Sequence, residues 1–141
     1  MRRYLIVAGF CILAAGCEGN GNGQPKDGRD APGVFEVVLK AELKEAKKGE
    51  GHYLFVDGKD PAPEMMKRFN KLWPDLQAGS KVPKEGKAMR ISIGELEWID
   101  SNTAEVRGGF SNGMDGRGSK YRVIRSKDGW TIDKVTVEFL S

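Results

Sequence analysis

The sequence predicts an α+β domain in which two N-terminal helices pack on a curved, mainly four-stranded antiparallel meander. Three observations predict this fold class. Apolar residues recur at helical spacing over residues 34–48 and again after Asp60. From Ala88 onward they alternate with polar residues, which is typical of half-buried strands, and turn pairs such as Asn112-Gly113 separate the alternating stretches. Helices that precede a run of strands indicate an α+β architecture.

The amino end has the layout of a secretory signal peptide. Two arginines follow Met1, residues 4–15 are apolar and uncharged, and small residues come next. The apolar run is shorter than the roughly 20 residues that a membrane-spanning helix needs. We therefore expect residues 1–16 to be a signal peptide that is cleaved between Gly16 and Cys17.

Residues 17–33 are expected to form the lipidated amino terminus and a flexible linker, because they are rich in glycine and contain no large apolar side chain. Residues 34–141 then form a single α+β domain. The signal carries two of the 23 basic residues and none of the 20 acidic ones, so the mature chain has 21 basic against 20 acidic residues. This near-neutral balance gives no electrostatic reason to expect binding to nucleic acid.

The elements before the meander are assigned from spacing and end signals. The first helix is predicted over residues 34–48, where Val, Leu and Phe follow the helical period. His52–Val56 is predicted to be a short strand of aromatic and branched residues. Asp60 is expected to cap a second helix that begins at Pro61 and stops before Pro74.

Four strands are predicted after Ala88, and two of them are expected to be kinked. The alternation of apolar residues changes phase at Gly94, which indicates a β-bulge. A second change of phase near Asp133 and Lys134 indicates another bulge in the last strand. Such kinks curve the sheet, and its apolar face is expected to pack on the helices.

The segment Leu13-Ala14-Ala15-Gly16-Cys17 resembles the lipobox of bacterial lipoproteins. The small residues and the cysteine match, whereas this family prefers Leu where the chain has Ala14. The resemblance implies that the Cys17 thiol carries acyl chains and that the mature protein begins at this residue. It implies no cofactor other than this covalent lipid.

Ordinary secretion is the alternative to lipidation, because Ala14 and Gly16 also fit the small-x-small pattern of a general signal peptidase site. However, Cys17 would be the only cysteine left after cleavage. An exported domain with a single exposed thiol invites oxidation or pairing, and acylation removes this problem. We therefore predict an exported protein held to a membrane by lipid; in a cell with two membranes, the expected place is the outer membrane, facing the periplasm.

The order of helices followed by bulged strands is similar to that of NTF2-like (cystatin-like) domains. The likeness covers residues 34–141 and is architectural, with no family motif, and the usual third helix is missing. It implies that the sheet could enclose a cavity. Trp73, Trp98 and Trp130 are the candidates to line that cavity, and core packing is the alternative role for such residues.

No catalytic or metal-binding constellation is found in the sequence. The chain has a single histidine, His52, and no second cysteine after processing, so neither a zinc site nor a Ser/His/Asp triad is expected. The segment 113–120 differs from a phosphate-binding loop because Ser precedes Lys and a strand follows, so we predict a hairpin. Asp57 and Asp60 lack the spacing of a calcium loop.

Basic residues are frequent in the third and fourth strands of the predicted meander, and they suggest either an anion-binding face or a solvated face with cross-strand pairs. Glutamates lie among them, which favours the solvated face. The basic residues are Arg107, Arg117, Lys120, Arg122, Arg125 and Lys127.

Taken together, these features predict a non-enzymatic envelope domain that binds an envelope protein or a small ligand. The alternatives are an NTF2-like binding or enzymatic cavity and a structural spacer.

Overall fold

The structure is a computed structural model that describes residues 29–46, 51–85 and 88–141. It contains two helices and six strands, with a 3₁₀ turn at Gly79–Lys81. In chain order, the elements are α1 (Ala31–Glu45), β1 (His52–Val56), α2 (Pro63–Asn70), β2 (Gln77–Ala78), β3 (Met89–Asp100), β4 (Thr103–Ser111), β5 (Gly116–Ser126) and β6 (Gly129–Leu140).

The six strands form one mixed sheet in the order β2-β1-β3-β4-β5-β6. β1 pairs in parallel with both β2 and β3, whereas β3 to β6 pair with their neighbours in antiparallel fashion. The predicted α+β class is confirmed, but the predicted four-stranded antiparallel sheet is wrong. β2 has only two residues, too few to show a period, and no local pattern indicates that β1 joins the same sheet.

The prediction that both helices precede the sheet is also wrong, because β1 lies between them. β1 and β3 are parallel neighbours, and such a pair needs a crossover connection rather than a tight turn. α2 belongs to that crossover. α1 packs on the sheet, where it contacts β3, β4 and β6. Arg68 of α2 donates a hydrogen bond to Glu36 of α1 at 2.7 Å, and Phe69 is fully buried.

The helix boundaries differ from the predicted ones because of their caps. Asp30 caps α1 by accepting a hydrogen bond from the Gly33 N–H at 3.0 Å, so the helix begins at Ala31 rather than at residue 34. Asp60 does not cap α2, which begins at Pro63. Instead, the Asp60 carboxylate accepts a hydrogen bond from the Ser80 N–H at 2.7 Å and fixes the 3₁₀ turn against the start of the crossover.

Both predicted β-bulges are confirmed. The pairing of β3 with β4 shifts after Gly94, and the pairing of β5 with β6 skips Asp133. A third irregularity, which the sequence does not indicate, skips Glu138 in β6.

The core lies between α1 and one face of the sheet. Its fully buried members come from α1, α2 and the inner strands, and they include Val34, Val38, Leu39, Leu54, Phe69, Ile91, Ala104, Val106 and Val123.

Candidate functional site

The predicted processing and lipidation positions, Gly16 and Cys17, lie outside the described residues, as does most of the predicted linker. The part of the linker that is described is residues 29–33, in which Asp30 caps α1 and residues 31–33 belong to its first turn. Lipidation therefore stays a prediction from the sequence.

The three tryptophans proposed to line a cavity are not brought to one place. Trp98 and Trp130 contact each other, with ring centroids 5.7 Å apart, and a side chain on Gly33 would meet the Trp130 ring. Trp73 lines a cleft beside Lys40 and Lys44 of α1. The Trp98–Trp130 pair lies near Gly33 at the start of α1, whereas Trp73 lies near Lys44 at its end. About ten residues of α1, or roughly 15 Å along the helix axis, separate these two positions. Trp98 and Trp130 pack partly buried against the core.

Three basic residues on the open face of the sheet, which is the face away from α1, pair with carboxylates. Glu105 contacts Lys120 at 2.8 Å and Arg122 at 3.5 Å, and the hydrogen bond from Lys120 lowers the pKa of the Glu105 carboxyl. Arg107 contacts Glu138 at 3.2 Å and also pairs with Glu95. The predicted solvated face with cross-strand pairs is confirmed for these residues, so their charges are largely balanced.

Strand β6 carries the largest group of exposed apolar side chains in the described part of the chain. Val135 is 41% exposed, Val137 47%, Phe139 58% and Leu140 75%. Within the described ranges, β6 is an edge strand that pairs only with β5. Isolated exposed apolar residues are ordinary, but a cluster on an unpaired strand edge is typical of an interaction site.

The valines of β6 point toward the same face as the core. Val135 lies opposite Tyr121 of β5 and Val137 lies opposite Ser119, and both of these β5 residues are buried. Directly opposite residues share a face of the sheet. The valines are therefore exposed because α1 does not extend over them, although their alternation is that of a core strand.

Phe139 lies on the open face and packs on Gly118. A side chain at Gly118 would collide with the Phe139 ring, so the glycine allows the ring to lie against the strand. The ring remains more than half exposed, and clefts of about 390 and 510 Å³ share it as a wall. Apolar surface is thus presented on both faces of β6.

A buried carboxyl group connects α1 to the sheet. Glu42 is fully buried, and its Oε1 accepts a hydrogen bond from the Tyr121 hydroxyl, whereas Oε2 has no partner in the described part of the chain. Burial raises the pKa of the Glu42 carboxyl, and the Tyr121 hydrogen bond and the charge of Arg117 offset this only in part. Burial and the contact with Glu42 also raise the pKa of Tyr121.

A perturbed carboxyl of this kind is a candidate acid or base, but only when a substrate can reach it. The Glu42 side chain has no exposed surface. Replacing a hydrogen of Gly108 by a methyl group would bring the new carbon to 3.0 Å from Glu42, which shows how tightly the group is enclosed. We therefore interpret Glu42 and Tyr121 as a structural tie between α1 and β5.

A second candidate site is a cleft of about 480 Å³ near the carboxyl end of α1. Lys40 and Lys44 supply positive charge, while Trp73 and Leu72 supply apolar surface. His52 also lines the cleft, and its Nε2 atom is buried without a hydrogen-bond partner among the residues described. A buried polar atom without a partner is unusual in a folded protein and indicates a place for a missing acceptor or donor.

Neither Glu42 nor β6 is among the functional candidates that the sequence predicts. One signal for Glu42 was available, because Val34, Val38 and Glu42 follow each other at intervals of four and must share a face of α1. The sequence contains no corresponding signal for β6, because alternating apolar residues look the same in an inner strand and in an edge strand. Exposure depends on which strand is paired on both sides, and this is a property of the whole sheet.

No group of three or more potential ligands for a metal ion is present among residues 29–46, 51–85 and 88–141. Within the same ranges, neither helix has the length and apolar character needed to cross a bilayer.

Comparisons with protein-family models, with curated proteins and with solved structures found no match to the chain. The resemblances to lipoproteins and to NTF2-like domains therefore stay predictions.

Proposed function

We propose that the chain is an exported, lipid-anchored envelope protein whose domain binds a protein partner along the open edge of β6 and catalyses no reaction. The observation that carries the proposal is the concentration of exposed apolar side chains in the last six residues of a long edge strand. The alternatives of an enzymatic cavity and of a structural spacer provide no reason for this surface.

The geometry of an edge strand explains how such a partner would bind. The outer side of β6 presents backbone N–H and C=O groups that no strand among the described residues satisfies. An added strand forms main-chain hydrogen bonds with these groups, and side chains on alternating positions select the partner. Val135 and Val137 supply the apolar contacts on one face, and Phe139 supplies them on the other.

The test of this surface is site-specific photo-cross-linking in cells that produce the full chain. A photoreactive residue in place of Val137 is expected to give a covalent protein adduct. The matched control is the same residue in place of Ile99 in β3, because Ile99 is 48% exposed and Val137 is 47% exposed. Equal labelling at both positions, or no adduct at Val137, contradicts the proposal.

The anchor part of the proposal is supported by the position of Cys17 after small residues and an apolar run. Two or three acyl chains make attachment stable, because each buried CH₂ contributes about 0.8 kcal/mol. A labelled fatty acid supplied to producing cells should enter the native chain and the Cys11→Ser variant, but not the Cys17→Ser variant. Label retained by Cys17→Ser refutes lipidation at this residue.

A second candidate function is the binding of a small organic anion in the cleft beside α1, which corresponds to the small-ligand alternative. The specific observation is the unpartnered Nε2 atom of His52, close to Lys40 and Lys44. The lysines would attract an acidic group, and Trp73 would contact an apolar body. Ligand sites commonly combine an apolar lining with a few polar groups in this way.

The single histidine makes this candidate simple to test, because its imidazole gives one set of NMR signals. Titration with benzoate is expected to shift these signals until they saturate, and Lys44→Gln should weaken the binding. Lys127→Gln removes a lysine that does not line the cleft and is the control. Signals that remain unchanged at millimolar benzoate contradict an anion site of this class.

A further inference from the structure

Resting on the proposed function of β6, we infer that its partner is β6 of a second copy of this chain. The two strands run antiparallel around a two-fold axis at Thr136, so that two six-stranded sheets join into one. Around Thr136, apolar residues and oppositely charged residues lie at equal distances on either side along the strand.

The side chains of residues 134–138 are divided between the two faces of the sheet. Lys134 lies opposite Arg122 and Thr136 lies opposite Lys120, on the open face. Glu138 contacts Arg107, which lies on the same open face. Val135 and Val137 lie on the face that carries α1, as their pairing with β5 shows.

Symmetry restricts the ways in which β6 can pair with itself. A two-fold axis perpendicular to the sheet keeps each side chain on its own face, and residues that lie opposite each other share a face. The axis therefore has to pass through a residue position and not between two residues. Each choice of central residue then determines all the other pairs.

The register centred on Thr136 is complementary on both faces. It places Val135 of each copy opposite Val137 of the other, so that four exposed valines form one apolar cluster. It also places Lys134 of each copy opposite Glu138 of the other, which gives two ion pairs related by the axis. Cross-strand pairs of both kinds stabilise antiparallel sheets.

The neighbouring registers lack this match. Registers centred on Asp133, Lys134 or Glu138 bring that residue against its own charge in the second copy, which destabilises the pairing. A register centred on Val135 places Lys134 opposite Thr136. A register centred on Val137 places Lys134 opposite Leu140, so in neither case do the charges of Lys134 and Glu138 meet.

The surroundings of Lys134 in its own chain favour the same register. Its neighbour across the β5–β6 ladder is Arg122, which has the same sign and contacts Glu105, and Lys134 makes no ion pair within the part of the chain that is described. Glu138 of a second copy, which also contacts Arg107 of its own chain, would supply an opposite charge. The bulge at Asp133 precedes this segment and the bulge at Glu138 lies at its end, so the pairing is confined to residues 134–138.

The first test uses disulfide trapping in the full chain with Cys11→Ser and Cys17→Ser, so that an introduced thiol is the only one. Thr136→Cys places two cysteines directly across the axis, about 4.5–5.5 Å apart at Cα, within the range of a disulfide. Leu140→Cys is the control, because the two copies of this exposed residue lie about 27 Å apart in the proposed register. A mixture of Val135→Cys and Val137→Cys should form a heterodisulfide.

We expect at least about tenfold more disulfide-linked dimer from Thr136→Cys than from Leu140→Cys, since only the former meets the disulfide distance limits. Equal yields overturn the inference. The proposed function still holds in that case if the photoreactive residue at position 137 cross-links to a different protein. If neither a disulfide-linked dimer nor a photo-cross-linked adduct forms, both the proposed function and the inference are rejected.

The second test exchanges the charges. Lys134→Glu is expected to lower the dimer association constant about two- to thirtyfold, because two cross-strand ion pairs are lost. The monomer should remain folded, since the new glutamate faces Arg122 of its own sheet. Adding Glu138→Lys should restore dimer formation, and a double variant that is no better than Lys134→Glu contradicts the proposed register.

Discussion

Strands β4 and β6 belong to the same sheet and show similar alternation, yet they meet solvent in opposite ways. β4 lies between β3 and β5, and its inward residues Ala104 and Val106 have no exposed surface. β6 has one neighbour, and its corresponding residues Val135 and Val137 are almost half exposed. The two strands differ in what covers them and not in their local sequence pattern.

The cause is the width of the sheet relative to its helical layer. Six strands spaced about 4.8 Å apart span roughly 24 Å, whereas one helix is about 10 Å wide. α1 contacts β3, β4 and β6, and α2 is short and is attached to α1 through Arg68. In the part of the chain that is described, the last residues of β6 therefore keep core-like side chains without cover, and a partner strand would complete the sheet.

The largest expected difference in stability is between a lysine introduced into the buried core and one introduced into β6. Val123→Lys places an ammonium group in the closed core beneath α1, and it is expected to unfold the domain, because an unpaired buried charge costs several kcal/mol. Val137→Lys should change the unfolding free energy by no more than about 0.5 kcal/mol. Urea denaturation followed by tryptophan fluorescence measures both. A Val137→Lys variant that unfolds shows that β6 belongs to the core.

The next comparison removes apolar volume. Leu54 is fully buried in β1, and Leu54→Ala should lower the unfolding free energy by about 2–5 kcal/mol. Leu140 is 75% exposed, and Leu140→Ala should cost less than about 0.5 kcal/mol in dilute protein. If the two losses, measured by urea denaturation, are similar, then the edge is packed as tightly as the interior and the comparison fails.

A smaller effect concerns pH and the interior alone. The folded-state pKa of Glu42 lies above its usual value of 4.5 because of burial. The proton is therefore bound more tightly in the folded chain, so this contribution to stability is complete below pH 4.5 and is lost as pH rises through the raised pKa. The loss is at most about 1.4 kcal/mol per pH unit.

Glu42→Gln should remove this dependence. The unfolding free energy of the native chain should fall relative to that of Glu42→Gln as pH rises from 4.5 to 8. Glu64→Gln is the control, because this side chain is exposed in α2 and is not among the groups that shift the pKa of Glu42. Urea denaturation across this pH range makes the measurement, and a constant difference between the native and Glu42→Gln proteins contradicts the interpretation of Glu42 as a buried, protonatable tie.

Local patterns predicted much of the fold but little of the candidate site. The helical period over α1, the turn pairs and the phase changes at Gly94 and Asp133 located most elements and two bulges, because these signals act over a few residues. The pairing of β1 with β3 and the contact of Glu42 with Tyr121, 79 residues apart, depend on tertiary packing. The exposure of Val135 and Val137 likewise depends on the position at which α1 packs on the sheet.

The central claim is that β6 of a second copy completes the sheet at β6, and amide hydrogen exchange at low and high protein concentration tests it most directly. Exchange in residues 134–138 is expected to slow as concentration rises, because their free N–H groups gain partners. Exchange in β4 should stay constant, since β4 is already paired on both sides. If the exchange rates in β6 are the same at both concentrations, β6 does not pair with a second copy.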